Sequence, residues 1–316
     1  MFVRKLVRCT AVLAAALAGT GAAAFPDKPI QYIIPFAPGG ESDITARMQA
    51  QVFAAKYKQQ MIVLNRPGAG GGLVWGQLNT MPADGYTVAG VNLPHIVLQP
   101  LEGNVQYKTD DIVPVYFFQY TADAIVVPEA SPFKTFQDLV KAAKDSPEKI
   151  TLAGSGTFSA NHMATERLNK LLGIKTTYVP FKGTGDLSAS VAGGHVSGAM
   201  SYLPFAIQQK GKMRPLVTAT EKRHPAFPDV PTFRELGFNW VDGAYRGIAV
   251  PKPTPAVIQK QLSDIMFALN QDPAMRMQLT DGGYDVIDVT LDKIPAFLAA
   301  KRRAYIEDAK SAGLLK

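Results

Sequence analysis

The stretch Ile33-Ile34-Pro35-Phe36-Ala37-Pro38-Gly39-Gly40-Glu41-Ser42-Asp43 limits what this chain can fold into more than any other. Residues 30–35 are apolar and rich in β-branched side chains, so they read as a strand. A Pro/Gly turn breaks it. Ile44, Met48, Val52 and Ala55 then recur at helical spacing, which starts a helix near Ser42. The glycines let the main chain approach a ligand closely. The helix start presents unpaired N–H groups and the positive end of a dipole. The whole is either an anion cradle made of backbone or a plain strand-turn-helix connection. The device then recurs downstream. Residues 150–153 read as a strand, Gly154-Ser155-Gly156-Thr157-Phe158-Ser159 as its turn, and Met163, Leu168, Leu171 and Leu172 mark the next helix. Two facing cradles suit a ligand with one or more carboxylates held between two lobes.

The start of the chain reads as a secretory signal over residues 1–24. Arg4, Lys5 and Arg8 form its charged region, residues 10–18 are an apolar run too short to span a bilayer, and Ala22-Ala23-Ala24 offers a cleavage site before Phe25. A retained membrane anchor is the alternative. The one cysteine, Cys9, precedes the apolar run, so it does not read as a lipid-attachment site, and the mature chain is left without a disulfide. Stability then rests on one or two apolar cores. The formal charge of +7 falls to +4 once three basic residues and no acidic ones leave with the signal. Lys301-Arg302-Arg303, the densest basic cluster, reads as a solvated helix face. Nucleic acid is therefore not an expected partner, while a mild positive field favours anionic ligands.

Strands and helices alternate throughout. Residues 61–65, 86–91, 176–181, 198–202, 214–219 and 244–250 read as strands, and residues 112–127 contain one that passes from one lobe to the other. Helices are expected over residues 73–80, 135–144, 188–193, 254–270 and 294–312, with Thr135 as an N-cap and Pro255 in a first turn. This pattern is an α/β fold with a parallel or mixed sheet. Ligands in such folds sit at the carboxyl ends of strands, and Lys182-Gly183-Thr184-Gly185-Asp186 is a third glycine turn at such an end. Gly68, Gly70 and Gly72 have the wrong spacing for a dinucleotide fingerprint and read as close-packing positions. Asn92 ends a strand at the face of the first cradle, where it either donates to a ligand or caps a turn.

No phosphate loop and no nucleophile elbow is present. His95, His162, His195 and His224 are scattered, without metal-ligand spacing. No catalytic residue, metal site or cofactor is implied, which points to a binding protein.

Taken in order, the motifs resemble the Bug family, the solute receptors of tripartite tricarboxylate transporters. The resemblance rests on residues 35–43 with Ala46-Arg47, on Asn65-Arg66-Pro67-Gly68-Ala69-Gly70-Gly71, on Asp84-Gly85-Tyr86-Thr87, on Gly154-Ser155-Gly156-Thr157 with His162, and on Pro228-Asp229-Val230-Pro231-Thr232 with Glu235 and Gly237. Asp186 departs from the family pattern, as do Ser197 and Ser201, which stand where it has acidic residues. The resemblance implies a type II-like, two-lobed periplasmic binding protein of Venus-flytrap form, with lobe 1 over residues 25–122 and 245–316 and lobe 2 over residues 123–244. It implies a monomer that binds a di- or tricarboxylate, an acidic amino acid or an aromatic carboxylate and delivers it to a membrane permease. It implies ligand contacts from backbone amides and hydroxyls, with no arginine required. The candidate ligand-binding residues are Phe36, Pro38, Gly39, Gly40, Ser42, Asp43, Asn92, Ser155, Gly156, Thr157, Asp186 and Tyr202. Phe158 and Trp75 are further candidates for the cleft wall. Two other readings stay open: a secreted hydrolase or isomerase using Asp43 and His162, and a ligand-sensing partner of a signalling protein.

Overall fold

The computed structural model describes residues 25–315. The expected secretory segment, residues 1–24 with Cys9, lies outside them. Three β-prone segments come first: β1 (Ile30–Ile34), β2 (Met61–Asn65) and β3 (Thr87–Leu93), parallel to one another with β1 central. The helix after the first glycine turn is α1 (Glu41–Tyr57), with Gly40 as its extended N-cap. The 66–72 loop leads into α2 (Gly72–Gln77), and β3 runs into α3 (His95–Glu102).

The long apolar segment expected to join two lobes is one strand, β4 (Val113–Pro128). Its two halves belong to different sheets. Up to Ala122 it pairs antiparallel with β9 (Gly243–Val250), which in turn pairs with β3. From Asp123 onward it pairs with β7 (Gly198–Tyr202) and, on the other side, with β8 (Met213–Thr218). The second sheet is completed by β5 (Thr151–Gly154) and β6 (Thr177–Pro180), both parallel to β7's direction. The strand order is therefore β2-β1-β3-β9-β4-β7-β5-β6, a mixed arrangement. β10 (Asp285–Val289) pairs with the first half of β4 across an irregular register.

Helices cover both sheets, and the apolar core divides accordingly. One cluster joins Ile33, Phe53, Trp75, Val88, Phe117, Ile248, Leu262 and Tyr305 around the first sheet. Two smaller ones lie on opposite faces of the second, the first built on Ile125, Leu152, Leu168, Phe233 and Trp240, the other on Val126, Leu187, Ala199 and Phe205. α4 (Phe136–Asp145) starts at Thr135 with the expected capping box, Thr135 Oγ1 accepting from Asp138 N–H at 3.2 Å and Asp138 accepting from Thr135 N–H at 2.8 Å. The turn after β5 leads to α5 (Ala160–Leu172). α6 (Thr184–Ala192) begins four positions earlier than its apolar pattern indicates, and this places Asp186, which is exposed, in its first turn. α7 (Leu203–Gln208) follows β7 directly. α8 (Ala256–Asn270) takes Pro255 as N-cap, α9 (Pro273–Asp281) has Pro273 at its first position, and α10 (Ile294–Ala312) is the last helix of the described residues. Among the described residues, no helix is long and apolar enough to cross a membrane.

Candidate functional site

The three glycine turns lie at the carboxyl ends of β1, β5 and β6, where the open sheets converge. They do not meet as first expected. The first turn faces the third: Ala37 N–H donates to Lys182 C=O at 3.2 Å, and a Cβ on Gly40 would lie 2.6 Å from Thr184 Oγ1. The second turn faces the 66–72 loop. A Cβ on Gly156 would lie 2.7 Å from Gly70 Cα, and Gln99 Nε2 bridges that seam, donating to Gly70 C=O at 3.0 Å and Thr157 C=O at 3.5 Å. The backbones from the two sheets thus touch, which only glycine permits at this distance.

Between these seams lies a small cavity lined by Phe36, Gly40, Glu41, Ser42, Asn92, His95, Ser155, Thr184, Tyr202 and Arg246. Its free volume is about 10 Å³, roughly the space of one water molecule. Any larger ligand enters only when the turns part.

Arg246 is the cavity's cation, and it is 3% exposed. β9 positions it opposite Asn92 of β3 and Gln119 of β4. Its Nε donates to Ser42 Oγ at 3.2 Å and its Nη1 to Thr121 Oγ1. Its Nη2 faces Glu41 Oε2 at 3.5 Å, and the guanidinium lies over the Tyr202 ring with 4.8 Å to the centroid. A guanidinium carries five N–H donors, and these contacts occupy three. Thr184 Oγ1 also donates to Glu41 Oε2, which ties the third turn to α1. Three polar groups bordering this space have no partner: Glu41 Oε1, Tyr202 O–H and both ring nitrogens of His95. Burial, with the nearby Arg246, pushes the pKa of His95 down to about 3, so the imidazole is neutral at neutral pH and offers one donor and one acceptor. Burial raises the Tyr202 phenol well above its usual range against the pull of Arg246, so it stays protonated.

Six of the twelve candidates line the cavity: Phe36, Gly40, Ser42, Asn92, Ser155 and Tyr202. Six do not. Pro38 and Gly39 are exposed on the outer side of the first turn. The Asp43 carboxylate is turned back into its own turn, accepting from Gly39 N–H at 2.9 Å and pairing with Arg47 at 2.9 Å. Burial acts to raise its pKa, but Arg47, Gly39 N–H and Asn65 outweigh it and hold the group below the ordinary carboxylate value. Gly156 is packed on Gly70, and Thr157 is exposed. Asp186 is exposed and is not among the residues lining the cavity. Of the two further wall candidates, Trp75 is core, donating from Nε1 to Gly90 C=O at 2.8 Å, and Phe158 is half-buried outside the cavity.

The second turn is also less open than its sequence suggests. Asn161 Oδ1 accepts from Ser155 N–H at 3.0 Å and from Ser155 Oγ at 2.6 Å. Ser159 caps α5 by accepting from His162 N–H, and His162 Nδ1 accepts from Phe158 N–H at 3.1 Å. The N–H groups of Ser155, Gly156 and Phe158 are thus engaged within the turn, and of its residues Ser155 lines the cavity. His162, stacked on Tyr178 with its pKa lowered to about 4 by burial, is a loop-holding residue.

Sequence reasoning missed Glu41, His95, Thr184 and Arg246. Glu41 and Thr184 lie inside glycine turns already singled out, and a polar residue beside a turn glycine is the signal they carried. Arg246 gave none. It lies in an apolar strand segment, and its burial follows from β9 lying between β3 and β4.

Residues 45–307 match the family described as the tripartite tricarboxylate transporter family receptor. The protein BugT of Bordetella pertussis is 29% identical over 308 residues, covering 93% of this chain and 94% of its own length. Among solved structures, Rpa4515 of R. palustris with adipate has a TM-score of 0.85 at 25% identity and covers 92% of this chain and 98% of its own. MatC of Rhodopseudomonas palustris with bound malate has a TM-score of 0.81 at 26% identity and covers 90% and 99%. The chain belongs to the Bug family of tripartite tricarboxylate transporter receptors, two-lobed periplasmic binding proteins.

Proposed function

We propose that this protein is a periplasmic receptor that holds a small carboxylate in the Arg246 cavity and delivers it to the membrane permease of a tripartite transporter. Arg246 carries the reading. It is a buried guanidinium with free N–H donors, beside the start of α1, in a space bordered by turns from both sheets. Charge-assisted bonds from such a donor are worth about 1.5–3 kcal/mol each. The carboxylates named with the two solved relatives, adipate and malate, support the same ligand class. The proposed lobes are residues 25–122 with 245–316 and residues 123–244, and support for them comes from the change of β4 partner at Ala122–Asp123. Export would use residues 1–24. The hydrolase or isomerase reading relied on Asp43 and His162, and both are engaged in holding their own turns.

The test is a thermal-shift screen of mono-, di- and tricarboxylates. A rise in melting temperature with at least one acid, and recovery of that acid unchanged after incubation, is the expected result. No shift with any acid overturns the reading, and turnover of a bound acid replaces it with an enzyme.

A further inference from the structure

The cavity carries an acid of its own. Glu41 is 2% exposed, yet only one of its oxygens is satisfied, by Thr184 O–H and by Arg246 at 3.5 Å. Glu41 Oε1 is buried and has no partner. An unpaired buried carboxylate oxygen is costly, and a ligand donor placed there removes the cost. The remaining cavity groups add no charge, since His95 is neutral and Tyr202 keeps its proton. Arg246 and Glu41 therefore balance, and the space between the turns has no spare positive charge for a polyanion. A second ligand carboxylate would meet Glu41 at short range in a site from which water is largely excluded, where like charges repel strongly.

We propose that Glu41 makes this cavity select a carboxylate that also carries an N–H donor: an amino or amido acid of net charge zero or −1. Arg246 takes the carboxylate with its free N–H groups, and Glu41 Oε1 accepts from the ligand's ammonium or amide. The inference rests on the carboxylate reading above and adds the second half of the ligand.

Calorimetric titration with chain-matched C4 and C6 series tests it. The C4 probes are butyrate, succinate, succinamate and 4-aminobutyrate, and the C6 probes are their homologues. In the wild type, the amido or amino acid should bind about tenfold or more tightly than the dicarboxylate of equal length. Glu41→Gln should reverse that order, because the amide repels no second carboxylate and offers it an N–H. Dicarboxylates binding as well as or better than their donor-bearing partners in the wild type overturns the inference and leaves the carboxylate reading standing. So does a ratio unchanged in Glu41→Gln. Silence of all probes together with silence of the wider acid screen removes both readings. The wild-type ratio is informative even if the variant does not fold.

Discussion

A guanidinium at 3% exposure has to be compensated, and Arg246 is compensated by Glu41, Ser42, Thr121 and the face of Tyr202. Removing one partner of a buried pair strands the other, at a cost of about 3–5 kcal/mol. Arg246→Met should therefore lower stability by about that much in denaturant unfolding, and Glu41→Gln/Arg246→Met should recover most of the loss. Failure of the double variant to recover would show that the two residues are not energetically coupled. Asp43 makes the opposite prediction. Its carboxylate closes the first turn and complements the start of α1, which is worth roughly 0.3–1 kcal/mol. Because its pKa is lowered in the folded protein, that stability is present above the unfolded value and is lost as pH falls through the folded one. Asp43→Asn should lower the melting temperature slightly at neutral pH, lose the difference in acid, and leave ligand affinity unchanged. A tenfold loss of affinity would place Asp43 in the binding site after all. The residues legible in sequence were those whose role is local: turn glycines, caps and the hydroxyl of Ser42. Arg246 and His95 were not, because burial brings them together from strands and helices far apart in the chain, and no spacing rule encodes that.

The elements were easier to read. The strand-turn-helix units, the long joining strand and the capping box of α4 follow from periodicity and turn chemistry, and the structure has them. α3 was missed because it is short, follows β3 almost directly and contains Pro100, which reads as a break. α9 and β10 were missed as well: Asp272-Pro273 marks the start of that helix, and β10 is a short strand that pairs with β4 across an irregular register. At the element scale the informative place is where β4 changes sheets. Asp123 is fully buried there with Oδ1 unpartnered, and burial together with the neighbouring Asp242 raises its pKa well above the usual value. A raised folded pKa means the folded chain holds the proton to higher pH than the unfolded one. Stability from this group is therefore full below about pH 4, the unfolded value, and falls as pH rises. Asp123→Asn should match the wild type near pH 4 and unfold at higher temperature at pH 8. Equal melting temperatures across that range would contradict the assignment. The seam between the second turn and the 66–72 loop makes a steric prediction. Gly156 has φ +90° and its Cβ position lies 2.7 Å from Gly70 Cα. Gly156→Ala should cost about 1–2 kcal/mol in backbone strain and weaken ligand binding by holding the turns apart. Wild-type affinity in this variant would mean that the seam opens without consequence.

For the whole molecule, two sheets share one strand, and the Arg246 cavity lies between turns carried by both. The cavity of about 10 Å³ cannot admit a carboxylic acid as it stands, so binding must be coupled to parting and closing of the turns. On the proposal above, the pairing of Arg246 with Glu41 in that space sets the charge of the ligand it takes. Arg246 is the proposed partner of the ligand carboxylate. Calorimetric titration of the acid panel into the wild type and into Arg246→Lys tests it most directly, since lysine keeps the charge but loses the planar fork. Wild-type binding should lie near the micromolar range, about −8 kcal/mol, and Arg246→Lys should lose about tenfold or more, roughly 1.4 kcal/mol. Equal affinity in the two proteins, or no binding of any acid to the wild type, would contradict it.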